Sequence, residues 1–283
     1  MPWRLSWRTS GRIVAGYNVM TGRTRAAWTA AWLVLAIVAS TADLAAQSDE
    51  EFEKMFPFIG NWDAEIESPN GQDRGNCGGR TGDYGEKLLN CSLPADQLPL
   101  NARAEAWLKY MDHRQSPTLA ECAEISNPTM FGNGVYISAS PGRVEMTHPQ
   151  AAERTIWMNG GGPRPRPGEL FQHGFSVGRF DGDDLVVETT HFTFDPDGMD
   201  DHLHMASSVR KKVAERYHLI EDNVMRLIIT LEDPTFLTRP FTYAFLFAKK
   251  PGGPAPSWRS CDPDLGRREV EFAYPGNKYP DAK

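Results

Sequence analysis

The sequence lacks the short motifs that announce a bound nucleotide or a serine nucleophile. It has no P-loop, no dinucleotide-binding glycine fingerprint and no Gly-x-Ser-x-Gly, Ser176 sitting instead in Phe-Ser-Val-Gly. Cysteine is scarce: four residues in 283, with no Cys-x-x-Cys pair, which argues against a structural zinc site. Basic residues are outnumbered, 30 Lys and Arg against 37 Asp and Glu, for a net charge of −7. A nucleic-acid or anionic-membrane surface needs a basic patch that this balance does not favour. Long apolar runs are also lacking. The longest, Ala26–Ala39, is 14 residues, too short to cross the roughly 30 Å hydrocarbon core comfortably as a helix. No internal repeat and no linker divides the chain.

That one apolar run has a specific context. Arg23 and Arg25 precede it, and small residues follow it through Ala45-Ala46-Gln47. Positive charge, short apolar stretch and small residues, in that order, make an export signal. We expect cleavage after Ala46, translation from Met1 or Met20, and a periplasmic or secreted product with no membrane insertion after cleavage. Residues 1–46 carry five arginines against Asp43, so their removal takes the net charge from −7 to −11. The remaining 47–283 are long enough for one β-rich domain. An even cysteine count in an exported chain favours two disulfides, and we expect Cys77–Cys91 and Cys122–Cys261.

Patterning predicts mostly strands. Phe58–Glu67 alternates apolar and charged residues, as a half-buried strand does. Asn101–Asp112 is the one good helix, with Ala104, Trp107, Leu108 and Met111 at helical spacing. From residue 134 the segments Val135–Ala139, Val144–His148, Thr155–Met158, Ser176–Phe180, Leu185–Thr190, Glu215–Ile220, Val224–Leu231 and Phe241–Ala248 follow one another with turn residues between them. Asp181-Gly182 supplies the positive φ of a tight hairpin. The expected fold is mainly β: a single antiparallel β-barrel or sandwich, lipocalin-like, with one short helix. The Pro/Gly/Arg segment 159–168 reads as an exposed loop.

Several segments together resemble an uncharacterised family of exported bacterial proteins. The similarity runs over residues 55–265. It includes Gly60-Asn-Trp62, which also looks like the opening of lipocalin-like barrels, and Cys122 through the Pro141-Gly-Arg-Val144 turn. The most specific part is Ser176-Val-Gly-Arg-Phe-Asp-Gly-Asp-Asp-Leu-Val-Val-Glu-Thr189, where the family reads Ser-Val-Gly-x-Trp-x-Gly-Asp-x-Leu-Val-Val-x-Thr, so that Phe180 stands for a tryptophan. Val213-Ala-Glu-Arg-Tyr217, Glu232–Phe241 and Cys261 complete it. The resemblance implies export and no particular activity. This chain departs from the family pattern in carrying Thr190-His191-Phe192 and Asp201-His202-Leu-His204.

Those histidines are the most informative polar residues. His202 and His204, two apart, share one face of an extended strand. With Asp201 they form a candidate set for a divalent metal, and the same residues read equally as a solvated loop. His173, Glu188, His191 and Glu215 are candidates for acid–base catalysis, through His191 with Glu188 or His173 with Asp183; as scattered polar residues they also fit hairpin ends on the surface. Adjacent Glu215 and Arg216 point to opposite faces of a strand, so one faces inward and needs a partner. Glu215–Arg239 and Glu188–Arg179 are the expected pairs. Arg179, Arg239, Trp157 and Phe192 are candidate ligand-binding residues, the arginines for a carboxylate and the aromatics for an apolar body. Two functions follow. One is an exported lyase, isomerase or hydrolase, without organic cofactor, acting on a small apolar or aromatic molecule. The other is a non-catalytic periplasmic binding protein for such a molecule.

Overall fold

The fold is taken from a computed structural model, which describes residues 52–64, 80–81, 87–88, 98–112, 116, 123–148, 151–200 and 204–250. All lie in the compact unit Ser48–Lys283. The expected export signal, the four cysteines with their two expected disulfides, and Asp201 and His202 fall outside the described residues.

The protein is mainly β and its central sheet closes into a nine-stranded barrel. The strands are β1 (Gly60–Ala64), β2 (Arg80–Thr81), β3 (Lys87–Leu88), β4 (Val135–Ser140), β5 (Arg143–His148), β6 (Ala151–Met158), β7 (Phe175–Asp181), β8 (Asp184–Thr190), β9 (Asp195–Asp200), β10 (Met205–Ser207), β11 (Lys212–Glu221), β12 (Val224–Glu232) and β13 (Phe241–Lys250). Around the barrel the order is β1-β4-β5-β6-β7-β8-β11-β12-β13, and β13 pairs back onto β1. Closure removes the exposed edges that an open sheet presents. The two-residue strands β3 and β2 attach beside β13, and β9 and β10 form a separate two-stranded sheet.

Period-2 patterning decides which side chains face inward. In β12, Met225, Leu227, Ile229 and Leu231 are buried while their neighbours are partly exposed. In β13 the inward row is aromatic: Phe241, Tyr243, Phe245 and Phe247, with successive ring centroids about 6 Å apart. The interior is packed with side chains at one end by Trp62, whose Nε1 donates to the Phe58 carbonyl at 2.7 Å.

The β7–β8 hairpin turns at Gly182 with φ +66°, as the Asp-Gly pair predicts. Among the nine barrel strands the expected antiparallel order has one exception. β6 and β7 run parallel, Ile156 opposite Ser176, so residues 159–174 must cross from one end of the barrel to the other instead of making a hairpin.

Helix α1 (Ala102–Tyr110) forms where the helical spacing predicts it. Asn101 caps it, its Oδ1 accepting from the amides of Arg103 and Ala104 while its Nδ2 donates to the Thr235 carbonyl at 3.1 Å. Ala104 is fully buried, and Trp107 reaches across to donate its Nε1–H to the His204 carbonyl at 2.8 Å. A 3₁₀ turn, Thr129–Asn133, and the residues before it lie over the barrel end at which β5 stops and β6 starts.

Candidate functional site

A row of polar side chains crosses the inside of the barrel at that end. Arg154 on β6 lies inward because its neighbours Glu153 and Thr155 face out, and its side chain is 1% exposed. Ser176 on β7, Thr189 on β8 and Glu215 on β11 continue the row. The guanidinium forks onto Glu215, Nη1 to Oε1 at 3.0 Å and Nη2 to Oε2 at 2.9 Å. It also donates to Ser176 Oγ and Thr189 Oγ1. Asn127 Nδ2 and the Tyr217 hydroxyl donate to the same carboxylate at 2.7 and 3.1 Å. Burial pulls the Arg154 pKa down, but the Glu215 charge outweighs it and the net shift is upward. Burial, with Glu215 alongside, raises the Tyr217 phenol well above its usual value.

Glu215 therefore accepts four donated hydrogen bonds, two from the Arg154 guanidinium and one each from Asn127 and Tyr217. These bonds tie β6, β11 and the segment before the 3₁₀ turn to one another inside the barrel. Of the expected faces, Glu215 inward and Arg216 outward is what forms, Arg216 pairing with Asp181 and Asp184 on the neighbouring hairpin. The expected partner is corrected: Arg239 is exposed and among the described residues donates to the Pro240 carbonyl, while Arg154 pairs with Glu215. Glu188 and Arg179 are both exposed on the outer face, with no ion pair between them among the described residues.

Among the described residues, the candidate histidines His173, His191 and His204 each have a different partner. His148 is wholly buried, its Nδ1 2.9 Å from the Gly134 carbonyl and its ring edge-on to Phe131. Burial, reinforced by Arg154 and His173, lowers its pKa to about 3. His173 pairs with Glu124 at 2.8 Å through Nε2, not with Asp183, which belongs to the β7–β8 turn at the other barrel end. Burial lowers the His173 pKa despite that bond, and its Nδ1 has no hydrogen-bond partner. His191 is exposed at φ +60°, bonded through Nδ1 to the Thr190 hydroxyl, and does not meet Glu188. His204 is buried against Asp197, Nδ1 to Oδ1 at 3.0 Å; Asp201 and His202 lie outside the described residues. Among the described residues no group of three or more His, Cys, Asp or Glu side chains could hold a metal ion.

Phe192, a candidate ligand contact, lies in the core. It is fully buried, with the Lys211 ammonium 4.2 Å from its ring centroid. Lys211 is itself buried and ties three segments together, donating to Ser126 Oγ and to the carbonyls of Asn127 and Gly198. Burial lowers its pKa to about 8, with Asp195 and Asp233 opposing the shift.

One open cleft lies on the flank of the barrel. Under the crossover 159–174, against the outer face of β6 and β7, it has a volume of about 440 Å³. Trp157, Phe171 and Phe175 with Pro163 and Pro165 make its apolar walls. Glu153, Arg164, Glu169 and His173 supply polar groups, and Arg154 and Ser176 border it from the barrel side. So two sequence candidates, Trp157 and His173, come together, and Glu215 stands behind them through Arg154. The segment expected to be a free loop is one wall of the cleft. Gly162 packs so closely on the Trp157 indole that a Cβ would come within 2.2 Å of it.

Gly174 fixes the far end of that wall. It has φ +72°, and a Cβ there would lie 2.5 Å from Thr189 Cγ2 and 2.8 Å from Phe192 Cε1. Gly174→Ala is expected to cost about 2–3 kcal/mol, strain and clash together. Gly182→Ala, equally left-handed but with open space around it, should cost about 1 kcal/mol. Urea unfolding of the two variants checks the difference, and equal losses would contradict the packing described.

Comparison with family models, with curated proteins and with solved structures gives no match for this chain.

Proposed function

We propose that the protein is an exported binder of a small aromatic molecule, which it holds in the cleft between the crossover and the β6–β7 seam. The observation that carries this reading is the cleft itself: aromatic and proline walls, a few convergent polar groups and a volume in the range of small-molecule sites. In the barrel, by contrast, the inward positions of β12 and β13 carry large buried apolar and aromatic side chains. Saturable binding of indole in isothermal titration calorimetry is the expected result, with loss of that binding in Thr155→Trp. Thr155 is an outward-facing residue lining the cleft, so a bulky replacement fills the space and leaves the core alone. Unchanged binding in a folded Thr155→Trp protein, verified by circular dichroism, would refute the site.

One observation favours a second reading, acid–base catalysis in the same cleft. His173, which lines the cleft, is bonded through Nε2 to Glu124 at 2.8 Å, and its lowered pKa keeps the ring neutral near pH 7. Hydrolysis of an activated aromatic ester such as 4-nitrophenyl acetate should then fall about 100-fold or more in His173→Gln. Turnover undiminished in that variant excludes the dyad.

A further inference from the structure

The charged groups around the cleft divide into those already neutralised and those left over. Arg154 is consumed by Glu215 and two hydroxyls. Glu169 accepts from both the backbone amide and the guanidinium of Arg166. His173 is bound to Glu124 and, with its pKa lowered by burial, is uncharged near pH 7. Two side chains remain, Glu153 and Arg164. Both are exposed, and neither forms a hydrogen bond or ion pair with any described residue. They stand on different walls, Glu153 on the outer face of β6 and Arg164 on the crossover, and are not within ion-pair distance of each other. The rings of Trp157 and Phe175 line the same cleft.

From this arrangement we infer that the cleft selects a zwitterionic aromatic ligand, an aromatic α-amino acid. The carboxylate meets Arg164, the ammonium meets Glu153, and the ring lies on the aromatic wall. The inference rests on the binding function proposed above and adds the ligand class. A ligand with one charge would satisfy one wall and be repelled by the other. A neutral aromatic would leave both wall charges dependent on water. A guanidinium suits a carboxylate through its paired donors, and a volume near 440 Å³ accommodates a bicyclic ring with its polar substituents.

Three probes with the same ring separate the contributions: L-tryptophan, tryptamine and indole-3-propionate, compared by isothermal titration calorimetry on the full chain at pH 7 and low salt. Each exposed charge contact is worth about three- to fivefold in affinity. L-tryptophan should therefore bind several-fold more tightly than either singly charged analogue. Glu153→Gln should abolish its advantage over indole-3-propionate, and Arg164→Gln its advantage over tryptamine. Equal affinity for all three, or a preference for one of the singly charged probes, overturns the inference and leaves the aromatic cleft standing. If none of the three binds saturably, and indole does not either, the binding function fails with it.

Discussion

Glu215→Leu is expected to destabilise the protein by about 3–5 kcal/mol, because it strands the Arg154 charge inside the barrel. Arg154 would keep its hydroxyl partners, Ser176 and Thr189, but lose both bonds of the fork, and Asn127 and Tyr217 would lose their acceptor. The penalty comes from the uncompensated charge, since the pair itself gains little over well-packed apolar residues. Hence the double variant Arg154→Met/Glu215→Leu should recover much of the loss. For a domain of this size each kcal/mol shifts the melting temperature by about 2–4 °C, so the single variant should melt roughly 10 °C lower. Urea midpoints at unchanged m-value measure the effect directly. A single variant as stable as the parent, or a double variant no better than the single, would show that the charge is not buried as described.

The second large effect is one of pH. His148 titrates in the folded state near pH 3, against 6.5 for an unperturbed imidazole. Above pH 6.5 both folded and unfolded chains hold it neutral, and it contributes no pH dependence. As pH falls below 6.5 the unfolded chain takes up a proton that the folded barrel refuses, so stability declines by about 1.4 kcal/mol per pH unit. By pH 5 the loss from this residue is about 2 kcal/mol, and it continues to grow toward pH 3. His173, also lowered, acts in the same direction. His148→Phe removes one of the two while leaving Gly134 without its hydrogen-bond partner. It should be less stable at pH 7 and yet show a visibly shallower slope between pH 6.5 and 5. Parallel curves for the two proteins would mean that His148 is protonated in the native state.

Local rules made the barrel legible. Alternation along Val224–Glu232 and Phe241–Lys250 places the same side chains inward that the structure buries. Asp-Gly forms the β7–β8 turn, and Asn101 starts the one helix of more than a turn that was expected. Adjacent Glu215 and Arg216 required one inward charge. Its partner was not legible, because Arg154 is brought to it across β7 and β8 by barrel closure, which no local pattern encodes. A signal did exist: counting back by two from Ile156 puts Arg154 inward, beside an outward Glu153. β9 was hidden for a different reason. Pro196 and Gly198 are poor strand residues, yet they lie in an extended strand, with Gly198 so close to Ser207 that a Cβ would approach its Oγ within 2.2 Å. The cleft was half legible. Trp157 and His173 stood out as residue types, but the crossover that walls them in follows from the parallel β6–β7 pairing.

The pairing of β1 with β13 joins the first and last strands of the barrel, and this has a consequence for the chain as it is made. Until Phe241–Lys250 has been synthesised, β12 has no neighbour on one side and β1 lacks its second, so two raw edges and an aromatic-free gap persist together. Such a half-sheet recruits strands from other chains as readily as its own. Closure between partners so distant along the chain is also slow to find. The nascent protein must therefore pass almost its whole length in a sticky, unclosed form, and its yield will depend on whatever shields β12 until the final strand arrives.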